Sequence, residues 1–133
     1  MVYEKIHTIK GEAWDYTDVL HYDVNVADTA VVYNLLVNVR NSGIYPYSNL
    51  YLFITAQAPT GLTVKDTLEI ILADQNGKWY GKSIGNIFNH SAFYKKNIKF
   101  PFRGIYMFDI QHAMRDKELK GVSDIGLRLE KVN

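Results

Sequence analysis

Residues 31–40 alternate apolar and polar side chains more cleanly than any other part of the chain. Val31, Tyr33, Leu35, Val37 and Val39 fall on one face; Asn34, Asn38 and Arg40 fall on the other, with Leu36 the exception. A period of two marks a strand with one buried face. Such a face must be covered by a second layer, so this pattern predicts a two-layer β architecture. The connection NSGIYPYSN follows, and then Leu50, Leu52 and Ile54 alternate with Tyr51, Phe53 and Thr55. Residues 30–58 therefore read as two long strands joined by a loop too long for a two-residue hairpin.

The remaining segments repeat the theme. Residues 2–9 alternate loosely and predict a first strand. Residues 12–18 read as a loop or a single helical turn, with Trp14 placed to cap one end of the core. Leu20, Tyr22, Val24 and Val26 alternate with His21, Asp23 and Asn25, a half-buried strand. Residues 62–73 predict another strand, and Asp74-Gln75-Asn76-Gly77 a tight reversal. Residues 78–85 are short and broken by glycine, residues 86–97 show no clear period, and residues 98–102 form a short apolar piece ended by Pro101. Residues 105–112 and 123–131 are strands by their alternation. Residues 113–120 (AMRDKELK) predict one helical turn closed by Gly121. With turn signals every 8–12 residues and no βαβ rhythm, the expectation is an all-β fold. It is a single antiparallel β-sandwich, jelly-roll-like, over residues 1–133, with about eight strands and one short helical turn near 113–120.

Apolar residues at 47% suffice for one packed core, and a net charge of +1 leaves no electrostatic footprint for nucleic acid. With no cysteine, the chain has no disulfide, thiolate ligand or cysteine nucleophile. His7, His21, His90 and His112 are scattered without a second ligand at metal-binding spacing, so neither a metal nor a cofactor is expected. Nucleophile-elbow and phosphate-loop motifs are lacking, which points away from an enzyme. Asp66, Glu69 and Asp109 are the carboxylates that a glycosidase reading would use. Aromatics favour a binding surface instead: Tyr45, Tyr47 and Tyr51 in or beside the long loop, and Trp14, Trp79 and Tyr80 near other turns. Such a surface would take a partner protein or, in the alternative reading, a carbohydrate. Two arginines, Arg40 and Arg128, lie on polar strand faces, where a cross-strand acid is the ordinary partner; Arg115 lies just past a strand.

Three segments carry a family resemblance. They are Tyr33-Asn34-Leu35-Leu36-Val37-Asn38-Val39-Arg40-Asn41 running on to Tyr47-Ser48-Asn49-Leu50; Lys65-Asp66-Thr67-Leu68-Glu69; and Asp109-Ile110-Gln111-His112-Ala113-Met114-Arg115 followed by Gly121-Val122-Ser123-Asp124-Ile125-Gly126. In order and spacing the chain resembles the GldH-type gliding-motility lipoproteins of diderm gliding bacteria. The resemblance implies a non-catalytic cell-envelope lipoprotein, anchored through lipid on an N-terminal cysteine and facing the periplasm. It implies partners among the envelope proteins of the gliding and secretion machinery. The sequence holds no cysteine, so the expectation is a chain from which the signal segment and anchor residue have been removed. The candidate partner-binding residues are Arg40, Tyr45, Tyr47, Asn49, His112 and Arg115. Asp28-Thr29-Ala30 fits a short O-glycosylation pattern of such envelopes and makes Thr29 a candidate acceptor; Asp66-Thr67-Leu68 also fits but falls inside a predicted strand.

Overall fold

A computed structural model describes residues 2–132. Eleven strands and one 3-10 turn follow in order: β1 (Tyr3–Thr8), the turn (Lys10–Glu12), β2 (Ala13–Asp15), β3 (Leu20–Val26), β4 (Tyr33–Ser42), β5 (Asn49–Gln57), β6 (Thr63–Ile71), β7 (Lys82–Ile84), β8 (Ile87–Ile98), β9 (Gly104–His112), β10 (Glu118–Lys120) and β11 (Val122–Lys131). The sheets are antiparallel: one has the order β1-β11-β4-β8-β7, the other β3-β9-β5-β6, and β10 pairs with β2 in a small third sheet. Apart from the β5–β6 hairpin and the short β7–β8 pair, the chain crosses from one large sheet to the other between successive long strands. That alternation produces the jelly-roll arrangement of two four-stranded layers. β7 only extends one edge.

Period-two patterning explains the packing. Along β3 every second residue is buried, and the same holds for Tyr106, Phe108 and Ile110 of β9. These side chains meet Leu35, Val37 and Val39 of β4 and Ile125, Leu127 and Leu129 of β11 in one apolar cluster between the sheets. Tyr22 reaches across the layers and donates its hydroxyl to the Ile125 carbonyl at 2.7 Å. The outer face of β4 is polar but not fully wet. Asn38 is buried there, donating to Glu4 at 3.0 Å and accepting from Ser91 at 2.6 Å. Both bonds satisfy an amide that burial would otherwise leave exposed to an energetic penalty.

Three segments depart from expectation. Residues 113–120 hold no helical turn: they form bends and then β10, because Leu119 is drawn fully into the core opposite Trp14 in the β10–β2 pair. Local helix propensity is worth too little to resist that burial. The aperiodic residues 86–97 are in fact the body of β8, the longest strand. Two register shifts against β4, between Tyr33 and Leu35 and between Leu35 and Leu36, scramble its alternation. The predicted tight reversal at 74–77 does form. Asp74 accepts the amides of Asn76 and Lys78 at 2.9 and 2.8 Å, but the reversal is flanked only by an isolated Ala73–Trp79 bridge. The seven alternating segments correspond to β1, β3, β4, β5, β6, β9 and β11; β8 is the eighth long strand, and the other three have three residues each.

Candidate functional site

Strand direction sorts the loops onto two poles. One pole carries the β4–β5 loop (43–48) and the β9–β10 loop (113–117), which the register of β5 against β9 brings side by side through Leu52 and His112. The Ala113 amide donates to the Tyr51 carbonyl at 2.8 Å, and the Tyr51 amide points at Met114 Sδ at 3.3 Å. Above this seam Tyr47 donates its hydroxyl to Asp116 at 2.6 Å. Tyr47, Tyr51, Ala113, Met114 and Arg115 line a depression of about 320 Å³. A second depression of about 360 Å³ on the other side of Met114 and Arg115 adds Tyr16, Phe53 and Gln111. Tyr47 and Tyr51 are exposed apolar surface. The Asp116 carboxylate raises the Tyr47 phenol above its ordinary range, and the Glu69 charge does the same to Tyr51. Both phenols are thus held protonated as donors.

The other sequence-predicted residues fall into distinct roles. Asn49 stands at the start of β5 and donates to Glu69 at 3.0 Å, on the margin of the depression. Tyr45, expected on the surface, is buried: its hydroxyl donates to the Asn49 carbonyl at 2.6 Å, and its ring meets Tyr47 edge-on with centroids 5.8 Å apart. It is a pillar under Tyr47. His112, also expected to contact a partner, is buried against Trp14 with ring centroids 5.4 Å apart. Its Nδ1 accepts the Met114 amide at 3.3 Å, and burial lowers its pKa, keeping the ring neutral. Arg40 lies elsewhere, half-buried on the outer face of β4 opposite Asp124. The expected cross-strand acid does not serve it, because Asp124 is engaged by Thr8 and Ser123, both at 2.9 Å. Arg128 does find an acid, Glu130 at 2.6 Å on its own strand. Thr29 is half-exposed in the β3–β4 turn at the opposite pole, beside Asp28, whose carboxylate accepts the Ala30 amide at 2.8 Å.

Trp14 is wholly inside, donating its indole N–H to the Asp18 carbonyl at 2.9 Å, so it offers no platform for a sugar. The three carboxylates diverge. Asp66 accepts Tyr94 on the inner side of β6, Glu69 faces outward at the Tyr47 pole, and Asp109 binds His21 at 2.6 Å on the outer face of β9. Sequence reasoning missed Met114 and Asp116 as members of the polar cluster. Met114 stood inside the Gln111-His112-Ala113-Met114-Arg115 run, but no local pattern marks Asp116, whose partner lies 69 residues away.

The family model described as GldH lipoprotein matches residues 1–129. The chain belongs to the GldH lipoprotein family. A gliding motility lipoprotein GldH homolog of Christiangramia forsetii is 36% identical over 136 residues, covering 97% of this chain and 81% of the relative. The gliding motility lipoprotein GldH of Flavobacterium johnsoniae is 35% identical over 127 residues, covering 90% and 79%. Membership makes this a GldH-like lipoprotein, a membrane-anchored protein of the cell envelope. Within it the Gln111-His112-Ala113-Met114-Arg115 run forms the end of β9 and the polar loop, while Gly121-Val122-Ser123-Asp124-Ile125-Gly126 is the turn and entry into β11.

Proposed function

We propose that this GldH-family chain is a non-catalytic interaction component of the gliding and secretion machinery. It stands on the periplasmic side of its membrane and binds another envelope protein through the pole that carries Tyr47 and Arg115. The observation that carries the reading is the pairing of exposed aromatic and arginine side chains with a half-buried methionine around one depression, on loops held by hydrogen bonds between β5 and β9. Such residue types concentrate binding energy at interfaces. Chain direction adds support. β1 enters the sheet at the opposite pole, where the Val2 amide donates to the Leu129 carbonyl at 2.8 Å. The ten residues of β4 separate the poles by about 30 Å. An anchor on the N-terminal side would hold that far pole toward the membrane and present Tyr47 and Arg115 outward.

The test is co-purification of crosslinked partners from cells producing the anchored protein. Tyr47→Ala with Arg115→Ala is expected to reduce recovery of the partner at least ten-fold, while Leu62→Ala, an exposed residue of the opposite pole, leaves it intact. Undiminished recovery from the folded double variant would refute this surface.

A further inference from the structure

The flank between β6 and β8 is closed unevenly. Toward the Tyr47 pole, residues 72–84 and the Trp79 ring, which lies against Phe88 with centroids 5.8 Å apart, cover it. Toward the opposite pole it stays open. There Val64 occupies an inward register position, in line with Ala56, Phe108 and Tyr22, yet it is 51% exposed. An open groove of about 390 Å³ lies at this point, floored by Leu35, Phe100, Tyr106 and Phe108. That volume lies within the range of small-molecule sites, roughly 300–1,000 Å³.

Irregular backbone shapes the mouth. The register shift beside Leu35 brings Lys95 opposite a core leucine, and both Tyr94 and Lys95 line the groove. Bulges re-aim side chains in this way. Asn97 adopts φ 52°, a left-handed conformation that is uncommon outside glycine, and its amide is held by the Asn34 side chain at 2.9 Å. Beyond it the chain turns inward through Phe100, and Tyr106 ties the loop by bonding both the amide and the carbonyl of Phe102. Two lining residues are basic, Lys95 and Lys99, in a chain whose net charge is only +1. The one carboxylate in the lining, Asp66, is already engaged by the Tyr94 hydroxyl and, at 3.6 Å, by Lys95.

We propose that this flank is a binding site for a single-chain amphiphile, with the acyl tail in the groove and an anionic head on Lys95 and Lys99. An apolar interior explains the tail, and the cationic rim explains the sign of the head. A free fatty acid and a lysophospholipid share this chemistry.

The probe is dansyl-undecanoate titrated into the protein, followed by its blue-shifted emission. Competition uses dodecanoate, lysophosphatidylglycerol and dodecyl maltoside, each below its micellar concentration. Saturable one-to-one binding is expected, displaced by the anionic competitors and at least ten-fold less well by the neutral maltoside. Displacement by dodecanoate would mark a fatty-acid site, and displacement by the lysophospholipid alone a phospholipid site. Val64→Glu, at a half-exposed position, is expected to weaken binding at least ten-fold with an unchanged circular dichroism spectrum. Lys95→Ala with Lys99→Ala is expected to weaken it at least five-fold at low salt, and Leu62→Glu, outside the groove, to have no effect. Failure of the probe to saturate, or full binding by folded Val64→Glu, overturns the site. Equal competition by the maltoside overturns the anionic head.

Discussion

Gly121 is where the Tyr47 pole is most sharply constrained. It joins β10 to β11 at φ 101°, donates its amide to the Glu12 carbonyl at 2.9 Å and accepts the Ser42 amide at 2.8 Å. A Cβ placed there would stand 2.5 Å from Tyr45 Cα and 2.6 Å from Tyr45 N, both backbone atoms that cannot rotate aside. Gly121→Ala therefore combines two penalties. The left-handed backbone costs about 1–2 kcal/mol for a residue with a Cβ. Relieving the overlap requires lifting the 43–48 loop and withdrawing Tyr45, whose buried ring is worth about 1.5–3 kcal/mol. The sum is about 2.5–5 kcal/mol. At an unfolding entropy of about 2.1 cal/mol/K per residue, it lowers Tm by roughly 9–18 °C in a chain of this size. Gly43→Ala is the matched control: its Cβ meets nothing within 4 Å, its φ is ordinary, and it lies in the same loop. It is expected to be neutral or slightly stabilising, by at most about 1 kcal/mol. Thermal unfolding followed by circular dichroism measures both. A Gly121→Ala protein melting within 2 °C of the parent would show that the loop yields freely and that Tyr45 is no pillar.

Four further outcomes are expected. His21 is held between Asp109 at 2.6 Å and Asp23 at 2.7 Å, and its hydrogen bond to Asp109 leads the causes that raise its pKa above 6.5. The pairing therefore stabilises the fold fully below pH 6.5 and fades as pH climbs through the folded pKa. An NMR titration should place the midpoint above 6.5, with Asp109→Asn bringing it down; no movement in the variant contradicts the pairing. His112 has the opposite sign. Burial depresses its pKa, so its environment disfavours the fold only as pH falls below 6.5, and its NMR midpoint should lie under that value in the parent protein. Tyr22→Phe removes the buried hydrogen bond that ties β3 to the Ile125 carbonyl of β11 and should lower stability by about 0.5–1.5 kcal/mol in urea titration, with no change in slope. If Thr29 carries a glycan, intact-mass measurement of protein from its native host will show added mass that Thr29→Ala removes, and an unmodified mass dismisses the idea.

Legibility of the fold in the sequence followed burial. Where one strand face is dry and the other wet, as in β3, the period of two survives and the strand is read to the residue. β8 hides because its bulges shift phase and because its inner positions include Lys95 while its outer face carries Phe93, which is 46% exposed. A rule that expects apolar side chains inside has no purchase there. Residues 113–120 mislead for another reason. Their composition favours a helix in isolation, but the partner that decides their conformation, Trp14, is a hundred residues upstream in the β10–β2 pair. The candidate site follows the same logic. Tyr45 and Tyr47 are two residues apart, yet the first is buried where Gly121 packs against its backbone and the second is exposed, a difference set by a glycine more than seventy residues away in sequence and not by local pattern.

The two poles also differ in construction. All three short strands and the 3-10 turn lie at the pole of Tyr47, where β10 pairs with β2 and β7 braces the start of β8. None of them is needed to close the eight-stranded sandwich. What they add is fixation: the Gly121 amide is tied to Glu12, the Tyr16 amide to the Lys117 carbonyl at 2.9 Å, and the Tyr80 amide to the Leu72 carbonyl at 2.9 Å. Loops held this way lose little conformational entropy when a partner binds, so more of the contact energy appears as affinity. The opposite pole has no such bracing elements among the described residues, and there the flank stands open beside a basic rim. A braced aromatic surface suits a protein partner, and an open apolar flank suits an amphiphile, so the proposed activities occupy separate ends of one sandwich. Variants at Tyr47 and at Val64 should accordingly be independent: the first is expected to leave dansyl-undecanoate binding unchanged, and the second to leave partner recovery unchanged.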